Sequence, residues 1–388
     1  MSGPASRHIV IDVRHLRDFG IGTYIRNLVR ALADLDSHNR YTLVALPGHT
    51  GDLAGLGSNF TFAEYGRPDR TVIHDVAFAF FLRRLKADLF HIPLNSVTYW
   101  MPRPYVLTIH DMSTLLFPAQ RDVRKAFFDE RYRRGAARAA QIIAVSHSTR
   151  RDIEAVLGVP PERLSTIYSA PDPAFLDDSE GRAGSSAPGD RSRNRRILER
   201  YSIHPPFILY AGSVRPQKNL PRLVEAFAVL RQELESQPEF QELRLVIIGD
   251  ELSRSPAVRR AVVATRMEKF VRPLGFVPTE TLKALYQAAS LFAFPSLYEG
   301  FGLAPLEAML CGTPVVASNL PALVEAVGTA AELVIPDNVF DIARGMRSVL
   351  LDAGRRASLI AAGLRQARQF RWEHTARSVL AIYRDINK

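Results

Sequence analysis

The chain has 388 residues, of which 47% are hydrophobic and 23% are charged, and its formal net charge is +10. This length exceeds a single ordinary core, so two domains of roughly 150–200 residues each are expected. The first residues lack the positive start and apolar stretch of a signal peptide, no apolar run is long enough to span a membrane, and the lone Cys311 excludes an internal disulfide framework. These features favour a cytoplasmic location.

The positive charge is compatible with anionic substrates, anionic lipid surfaces or nucleic acid. The sequence contains no zinc-finger spacing, no heptad basic region and no aromatic strand motif of RNA-binding domains. No nucleic-acid partner is therefore predicted. Much of the excess arginine lies in two segments, residues 121–141 and 190–196.

Strand-like and helix-like segments alternate almost throughout the chain, which is typical of α/β domains with parallel sheets. After the first strand, Ile25, Leu28, Val29 and Leu32 keep the spacing of a helix with one buried face. The first half is predicted to contain buried strands at residues 8–13, 41–46, 87–92, 105–111 and 141–146.

The polar, glycine- and serine-rich segment 177–196 is predicted to be a linker or mobile loop. After it the alternation restarts with the strand PFILYAGS and ends in an amphipathic C-terminal helix, FRWEHTARSVLAIYRDINK. Both halves are predicted to be doubly wound units. Two such units joined by a linker predict a ligand cleft between the carboxyl ends of two sheets.

The first candidate site is the segment DFGIGTYIRNL, in which Gly20 and Gly22 follow a strand and open a helix. Backbone N–H groups at such a helix start can approach a phosphate. Ile25 stands where a dinucleotide fingerprint would have its third glycine, so that motif is not matched. The alternative is a tight strand–helix turn without a ligand.

The second candidate site is YVLTIHDMS, which puts His110 and Asp111 at the carboxyl end of a predicted central strand. His110 is expected to donate a hydrogen bond to a sugar hydroxyl or to a developing charge, with Asp111 orienting it or accepting from it. A purely structural His–Asp pair is the alternative.

The third candidate site is YAGSVRPQKNLPRL, in which a strand ends at Gly212 and Arg215 and Lys218 follow. Asn219 and Pro221 are predicted to cap and start the next helix. Two cations at a strand end suit a diphosphate leaving group. A solvated basic turn is the alternative.

The fourth candidate site is PSLYEGFGLAPLEAMLCGTPVVAS, which places Glu299 on a loop and Glu307 on the first turn of a helix predicted at residues 304–311. Gly300 and Gly302 leave bare amides between the two acids. This arrangement can hold a sugar nucleotide, with one acid at the sugar, the other at the ribose and the amides at the phosphate. The alternative explains Glu307 alone, as an acid that favours a helix N-terminus.

No metal or other cofactor is predicted. The one Asp-x-Asp segment, Asp34-Leu35-Asp36, lies at the far end of a predicted helix, and the ten histidines contain no His-x-x-x-His pair.

Together, the two-glutamate segment, GFVPTETLKALYQAASLFAFPS before it, AGSVRPQKNL, TIHDMSTLLFP and FGIGTYIRNLVRAL resemble the retaining glycosyltransferases of family 4, also called group 1. The resemblance covers nearly the whole chain in the family's order. It implies a GT-B fold, an α/β fold of two Rossmann-like domains facing a central cleft. The acceptor would bind to residues 1–176 and the nucleotide sugar to residues 197–370, and a helix at 371–388 would cross back to the first domain.

Carried over by position, the resemblance implies that Glu299 binds the hydroxyls of the donor sugar and Glu307 binds the ribose. Lys218 and Arg215 would neutralise the diphosphate, and His110 would bond to the donor sugar. The further positions implied in the donor site are Gly20, Gly22, Gly212, Gly275, Phe276, Val277, Gly300, Phe301, Gly302 and Leu303. Residues 275–277 would form the wall beside the base.

One departure from the family concerns the residue after Gly212. Many members have an arginine there, but this chain has Ser213, and its arginine stands at Arg215. Lys218 keeps the family's spacing, so its implied contact with the diphosphate is the better founded of the two.

The resemblance implies transfer of a sugar from a nucleotide diphosphate to an acceptor hydroxyl with retention of configuration and without a metal. The short GSVRPQKN and HDMSTLLFP segments look most like bacterial mannosyltransferases of surface polysaccharide synthesis, which favours GDP-mannose as the donor. A UDP-sugar is the alternative donor. A GT-B protein that binds a nucleotide without turnover is a further alternative.

The basic segment 124–138 is expected to form a helix that docks on anionic lipid and brings the enzyme to a lipid-linked saccharide acceptor. The location would then be peripheral, on the inner face of the plasma membrane. The alternative is that this helix is an ordinary solvated surface.

Overall fold

The computed structural model describes residues 6–18, 20–66, 72–95, 97–117, 123–176, 188–251 and 255–386. The chain divides into two compact units. Unit 1 contains Met1–Ala170 and Phe370–Lys388, and unit 2 contains Pro171–Gln369.

The described part of unit 1 contains one sheet, whose strands are β1 His8–Asp12, β2 Arg40–Ala45, β3 Phe60–Glu64, β4 Leu89–Ile92, β5 Tyr105–Ile109, β6 Gln141–Ala144 and β7 Leu164–Thr166. The strand order is β3-β2-β1-β4-β5-β6-β7, and all neighbours are parallel. The order reverses between β1 and β4, where the loops that follow the two strands diverge. The strands predicted from the sequence correspond to β1, β2, β4, β5 and β6.

The described part of unit 2 also contains one sheet, whose strands are β8 Phe207–Ala211, β9 Arg244–Ile248, β10 Val271–Gly275, β11 Leu291–Phe294, β12 Val315–Ser318 and β13 Glu332–Val334. The order is β10-β9-β8-β11-β12-β13, again with all neighbours parallel. Here the order reverses between β8 and β11. The continuous apolar runs of β8 and β11 are completely buried, as expected for strands covered on both faces.

Helices connect the strands in both units. They are α1 Ile21–Leu35, α2 Val72–Arg84, α3 Ser113–Leu116, α4 Val123–Ala136, α5 His147–Leu157, α6 Pro188–Arg200, α7 Leu220–Glu233, α8 Pro256–Ala264, α9 Thr279–Ala288, α10 Leu303–Leu310, α11 Pro321–Val327, α12 Val339–Leu351, α13 Ala353–Ala367 and α14 Trp372–Asp385. Within the described residues, none of these helices has both the length and the apolar composition needed to cross a bilayer.

A buried chain of polar contacts anchors the C-terminal helix α14 in unit 1. The hydroxyl of Tyr383 lies 2.5 Å from Nδ1 of His91, and Nε2 of His91 lies 2.8 Å from the hydroxyl of Thr108. The hydroxyl of Tyr24, on α1, lies 3.3 Å from the same Thr108 oxygen, and the Tyr24 ring meets Trp372 edge to face at 5.6 Å. Because these groups are buried, their hydrogen bonds join α1, β4, β5 and α14 into one core.

The segment expected to link the domains differs from the prediction. Residues 188–196 belong to α6, so the linker prediction is wrong there, and residues 177–187 lie outside the described residues. Helix α6 packs on α9, where the amide of Asn194 donates to Gln287 at 2.7 Å and Arg193 forms an ion pair with Glu280. Helix α6 is therefore stabilised by contacts with residues far along the chain. The polar composition of the segment does not reveal these contacts.

The boundaries between the units also differ from those expected. Residues 171–176 belong to unit 2, because Lys283 on α9 donates to the carbonyls of Ala174 and Leu176 at 2.9 and 2.7 Å. Phe370 belongs to unit 1, where its ring meets Tyr168 edge to face at 5.8 Å.

The buried His91 makes the stability of unit 1 depend on pH. Burial, with a smaller electrostatic effect from the nearby His110, lowers the pKa of His91 from 6.5 to about 3. Below its ordinary pKa the unfolded chain binds a proton at His91 that the folded chain does not bind. The contribution to stability is therefore complete above about pH 6.5 and falls by about 1.4 kcal/mol for each pH unit toward pH 3.

We expect the unfolding free energy of unit 1 to drop by about 2 kcal/mol more between pH 7 and pH 5 in the wild type than in His91→Gln. Urea titrations followed by tryptophan fluorescence measure this, because both tryptophans, Trp100 and Trp372, lie in unit 1. The exposed His38→Gln is the matched control and should keep the wild-type slope. Equal slopes in the wild type and His91→Gln would contradict the prediction.

Candidate functional site

Three strand ends of unit 2 meet at a glycine corner, formed by Gly212, Gly249 and Gly275. The amide of Gly212 donates to Ile248 at 3.0 Å, and the amide of Gly249 donates to Gly275 at 3.1 Å. A Cβ on Gly249 would lie 1.8 Å from the carbonyl oxygen of Gly212. Only glycine therefore lets the backbones after β8 and β9 approach this closely.

An ion pair spans the point where the strand order of unit 2 reverses. Lys218 follows β8 and Glu299 follows β11, and the ammonium nitrogen lies 2.7 and 2.8 Å from the two carboxylate oxygens. Both side chains are largely buried, with 18% and 11% of their surface exposed. The ammonium also lies 5.3 Å from the centre of the Phe294 ring. A cation held at a topological switch point is well placed to meet an anionic ligand.

The buried side chain of Asn219 holds the loops around this ion pair. Its amide nitrogen donates to the carbonyls of Pro295 and Pro336 at 2.9 and 2.7 Å, and Leu297 N–H donates to the carbonyl of Gln217 at 2.7 Å. Asn219 stands at the start of α7 with φ of 60°, and its side chain makes no capping hydrogen bond. Asn219 is the N-cap residue of α7, as predicted, but its side-chain amide makes contacts distant in sequence instead of capping the helix.

Helix α10 carries the second glutamate of the predicted pair. It begins at Leu303, one residue before the predicted start, directly after Gly302. Glu307 is half-buried, and burial together with the Asp172 carboxylate raises its pKa to about 8, although the Asp172 backbone N–H donates to it. With a pKa of about 8, this glutamate takes up a proton at a higher pH than an ordinary carboxyl, and the protonated form can donate as well as accept hydrogen bonds.

The other predicted donor-site residues of unit 2 differ in how exposed they are to solvent. Arg215 is exposed at the start of a 3₁₀ turn, and Phe276 is 73% exposed after β10. Val277 and Phe301 are buried beneath the surface, each 5% exposed. Gly300 is buried and Leu303 is half-buried.

His110 lies in unit 1, directly after β5. Its Nε2 donates to the carbonyl of Pro93 at 3.0 Å, and its backbone N–H donates to Asn95 at 2.7 Å. Burial lowers its pKa, with Pro93 and Asp111 acting in the opposite direction, so the ring is neutral. Because a carbonyl only accepts, Nε2 carries the proton and Nδ1 is an acceptor. In this tautomer Nδ1 is the ring nitrogen left to meet a ligand, as an acceptor, and the predicted contact of His110 with a ligand stays a prediction.

The carboxylate of Asp111 makes local hydrogen bonds within its own turn. It accepts from the backbone N–H and the hydroxyl of Ser113 at 2.8 and 2.5 Å. It does not orient the His110 ring through a hydrogen bond.

The geometry of the Gly20–Gly22 turn is explained by contacts within the turn itself. Gly22 N–H donates to the Asp18 carbonyl at 2.8 Å, and a Cβ on Gly22 would lie 2.2 Å from the Leu16 carbonyl oxygen. The amide of Gly22 is thus engaged within its own turn, and the predicted approach of this turn to a phosphate stays a prediction.

Within the described ranges, no cluster of three or more histidine, cysteine, aspartate or glutamate side chains could hold a metal ion. In the single Asp-x-Asp segment, Asp36 accepts from the Tyr41 hydroxyl at 2.5 Å and from the amide of Asn39 at 2.7 Å. These bonds give Asp36 a structural role.

Sequence reasoning missed Gly249, Asp172 and the distant side-chain contacts of Asn219. Gly249 ends the strand LRLVIIGD, as Gly212 ends the preceding strand, and this parallel placement was the available signal. No local pattern identifies the partners of Asn219 or of Asp172, because they lie far along the chain.

Two family models match the chain. "Glycosyltransferase Family 4" matches residues 20–175 and "Glycosyl transferases group 1" matches residues 193–366. The O-antigen chain mannosyltransferase B of Escherichia coli is 30% identical over 315 residues, which are 81% of this chain and 78% of that protein. The serotype-specific mannosyltransferase WbdA of Escherichia coli is 31% identical over 290 residues, 74% of this chain and 33% of that protein.

Solved structures share the architecture. Anabaena HepE in complex with UDP and glucose superposes with a TM-score of 0.74 at 16% identity, covering 98% of this chain and 100% of that chain. WaaG, a glycosyltransferase involved in lipopolysaccharide biosynthesis, gives a TM-score of 0.73 at 15% identity, covering 96% and 99%.

The chain belongs to the group 1 glycosyltransferases of family 4. Its two Rossmann-like domains have the GT-B fold. The family and fold predicted from the sequence are confirmed, and the chain is a glycosyltransferase.

From the glycine corner we expect two glycine-to-alanine substitutions in unit 2 to differ strongly in how much they lower the unfolding free energy. Gly249→Ala should destabilise unit 2 by more than about 4 kcal/mol, because its Cβ has no room beside Gly212. Gly312→Ala is the matched control: its φ is also positive, at +76°, but nothing lies within 4 Å of the added carbon. It should cost about 1–2 kcal/mol. Calorimetric unfolding checks both, and similar losses would contradict the prediction.

Proposed function

We propose that this glycosyltransferase transfers mannose from GDP-mannose to a hydroxyl of a glycan or lipid-linked saccharide in surface polysaccharide synthesis. The similarity to two mannosyltransferases, one of them named for the O-antigen chain, supports the sugar and the pathway class. The reaction is proposed to retain the anomeric configuration and to need no metal.

The observation that carries the proposal is the Lys218–Glu299 ion pair at the β8/β11 reversal. The carboxylate holds the ammonium in a largely buried position. A diphosphate carries more negative charge than the Glu299 carboxylate and can therefore compete for the ammonium. Arg215, three residues before Lys218, is exposed and can supply a second cation. Neutralising the leaving group in this way is the task that a metal performs in other transferases.

The proposed step breaks the bond between the sugar C1 and the phosphate oxygen. The electron pair of that bond passes to the leaving diphosphate, whose oxygen then takes the proton of the acceptor hydroxyl. The acceptor oxygen forms its bond to C1 on the face that the diphosphate leaves, which preserves the configuration. No nucleophile from the protein is required.

The two glutamates have different proposed tasks. Glu299, paired with Lys218, accepts hydrogen bonds from hydroxyls of the donor sugar. Glu307, with its raised pKa, both donates to and accepts from the ribose hydroxyls. His110 is proposed to accept from a sugar hydroxyl through Nδ1.

The remaining donor-site positions are proposed to act through shape and backbone. The amides of residues 300–303 would face the sugar and diphosphate, the glycine corner would admit the diphosphate, and Phe276 and Val277 would lie beside the base. Gly20 retains its predicted approach to the phosphate.

Two alternatives remain distinguishable by experiment. A UDP-sugar donor is favoured by the fold shared with HepE, whose structure contains UDP and glucose. A nucleotide-binding GT-B protein without turnover would bind the donor and transfer nothing.

We also propose a cytoplasmic location with peripheral contact to anionic lipid through unit 1. Helix α4 offers less free charge for this contact than its composition suggests. Arg131 is buried in an ion pair with Asp75, and Arg134 pairs with Glu130 at 2.7 Å. Among the side chains of this helix that the structure describes, these two arginines are therefore already engaged by carboxylates.

Isothermal titration with GDP, UDP and ADP tests the donor. We expect GDP to bind most tightly and Lys218→Ala to weaken its binding about tenfold or more, because the diphosphate loses a charge-assisted hydrogen bond. Tightest binding of UDP would support the alternative donor. Absence of binding by all three nucleotides would refute the donor site.

Glu299→Ala tests turnover. Transfer of mannose to a glycan acceptor should fall about 100-fold or more, because the donor sugar loses its positioning contact. The exposed Glu235→Ala is the control with the same loss of charge in unit 2, and it should transfer normally. Wild-type turnover by Glu299→Ala would remove this glutamate from the mechanism.

A further inference from the structure

A second concave site lies in unit 1, at the amino edge of its sheet. The cavity has a volume of about 310 Å³, and its lining includes Arg103, Arg138 and Arg163. This volume is at the lower end of the roughly 300–1,000 Å³ range of ligand pockets. Arg103 lies before β5 and Arg163 before β7, whereas His110 follows β5 at the opposite edge, roughly 17 Å along the strand.

The charges of the three arginines converge. Burial raises the pKa of the Tyr105 hydroxyl to about 12, and the charges of Arg138, Arg103 and Arg163 all act to lower it, with no acidic group contributing. The described residues that line the cavity include no acid. None of the three arginines forms an ion pair with a carboxylate of the described chain.

Contacts within unit 1 hold two of the arginines in place. Nη1 of Arg163 donates to the carbonyls of Ala137 and Ala139 at 2.8 and 3.4 Å. The guanidinium of Arg138 lies 4.7 Å from the centre of the Tyr99 ring, and its buried Nε has no hydrogen-bond partner in the structure. The stacking fixes the position of this guanidinium among the residues that line the cavity.

We propose that this cavity, the three-arginine pocket, binds a phosphoryl group. Guanidinium groups present fixed pairs of N–H donors that match phosphate oxygens. Because three arginines and no carboxylate are among the described lining residues, the pocket favours an anion with several acceptor oxygens over a neutral ligand. The proposal does not rest on the donor sugar, because this pocket and the Lys218–Glu299 pair lie in different units.

Two sources share this chemistry, a phospholipid headgroup and a soluble phosphate ester or diphosphate. The aromatic neighbours of the pocket are relevant to the first. Tyr99, which stacks on Arg138, meets Trp100 edge to face at 5.8 Å, and the two side chains are 36% and 37% exposed. Partly exposed aromatic rings beside cations suit the interface of a bilayer.

The experiment uses the full chain with Lys218→Ala, so that the proposed donor site contributes little to anion binding. One arm measures pyrophosphate binding by isothermal titration. The other measures sedimentation with phosphatidylglycerol–phosphatidylcholine vesicles and with phosphatidylcholine alone. Arg103→Ala and Arg138→Ala are added separately, and Arg30→Ala, an exposed arginine of α1, is the matched control.

We expect binding in at least one arm, weakened about tenfold or more by Arg103→Ala and by Arg138→Ala but not by Arg30→Ala. Pyrophosphate binding alone assigns a soluble phosphate, and binding to the anionic vesicles assigns the headgroup. Absence of binding in both arms, or binding that the pocket variants leave unchanged, overturns the proposal. Circular dichroism verifies that the variants are folded. Loss of sugar transfer in Lys218→Ala with an intact pocket would separate the two sites.

Discussion

The arrangement of the loops at the carboxyl edge of the unit 2 sheet depends on one buried amide. Asn219 is 3% exposed, and its side chain donates to the backbone after β11 and after β13 while its own backbone follows β8. Its oxygen accepts from Arg222 at 3.1 Å, so both ends of the amide are engaged. A left-handed backbone at φ of 60° is one that asparagine tolerates better than most residues. One side chain thereby fixes three loops.

The Lys218–Glu299 pair follows from that constraint. Lys218 directly precedes Asn219, and Glu299 lies on the loop that Asn219 holds through Pro295. A largely buried ion pair is weak evidence for stability, because desolvation offsets much of its attraction. Its position at the reversal of the strand order gives it a better explanation as a preorganised cation. Glu307, with its raised pKa, and Glu299, paired with a lysine, show how two carboxyl groups of one segment acquire different environments.

The sequence predicted those parts of the fold that local patterns determine. Long apolar runs gave β1 and β8, and the glycine and proline positions gave the start of α10 to within one residue. The edge strand β3 was missed because its residues are mostly exposed, and β7 because it has only three residues. Helix α6 was taken for a linker, since its stabilising contacts with α9 lie far along the chain.

In the candidate site, too, the sequence predicts what local patterns determine and misses what distant contacts determine. The sequence identified Glu299 and Lys218, and the structure brings them together. It could not give the proton position on His110, which depends on the carbonyl of Pro93, or the raised pKa of Glu307, which depends on burial and on Asp172. Both properties arise from tertiary contacts.

The central claim is that Lys218 exchanges the carboxylate of Glu299 for the diphosphate of the donor. A double-mutant cycle on Kd for the preferred nucleoside diphosphate tests it with Lys218→Ala, Glu299→Ala and the double variant. The account predicts that Glu299→Ala binds at least as tightly as the wild type, and that Lys218→Ala weakens binding in both backgrounds. Weaker binding by Glu299→Ala, to the same extent as by Lys218→Ala, would contradict it.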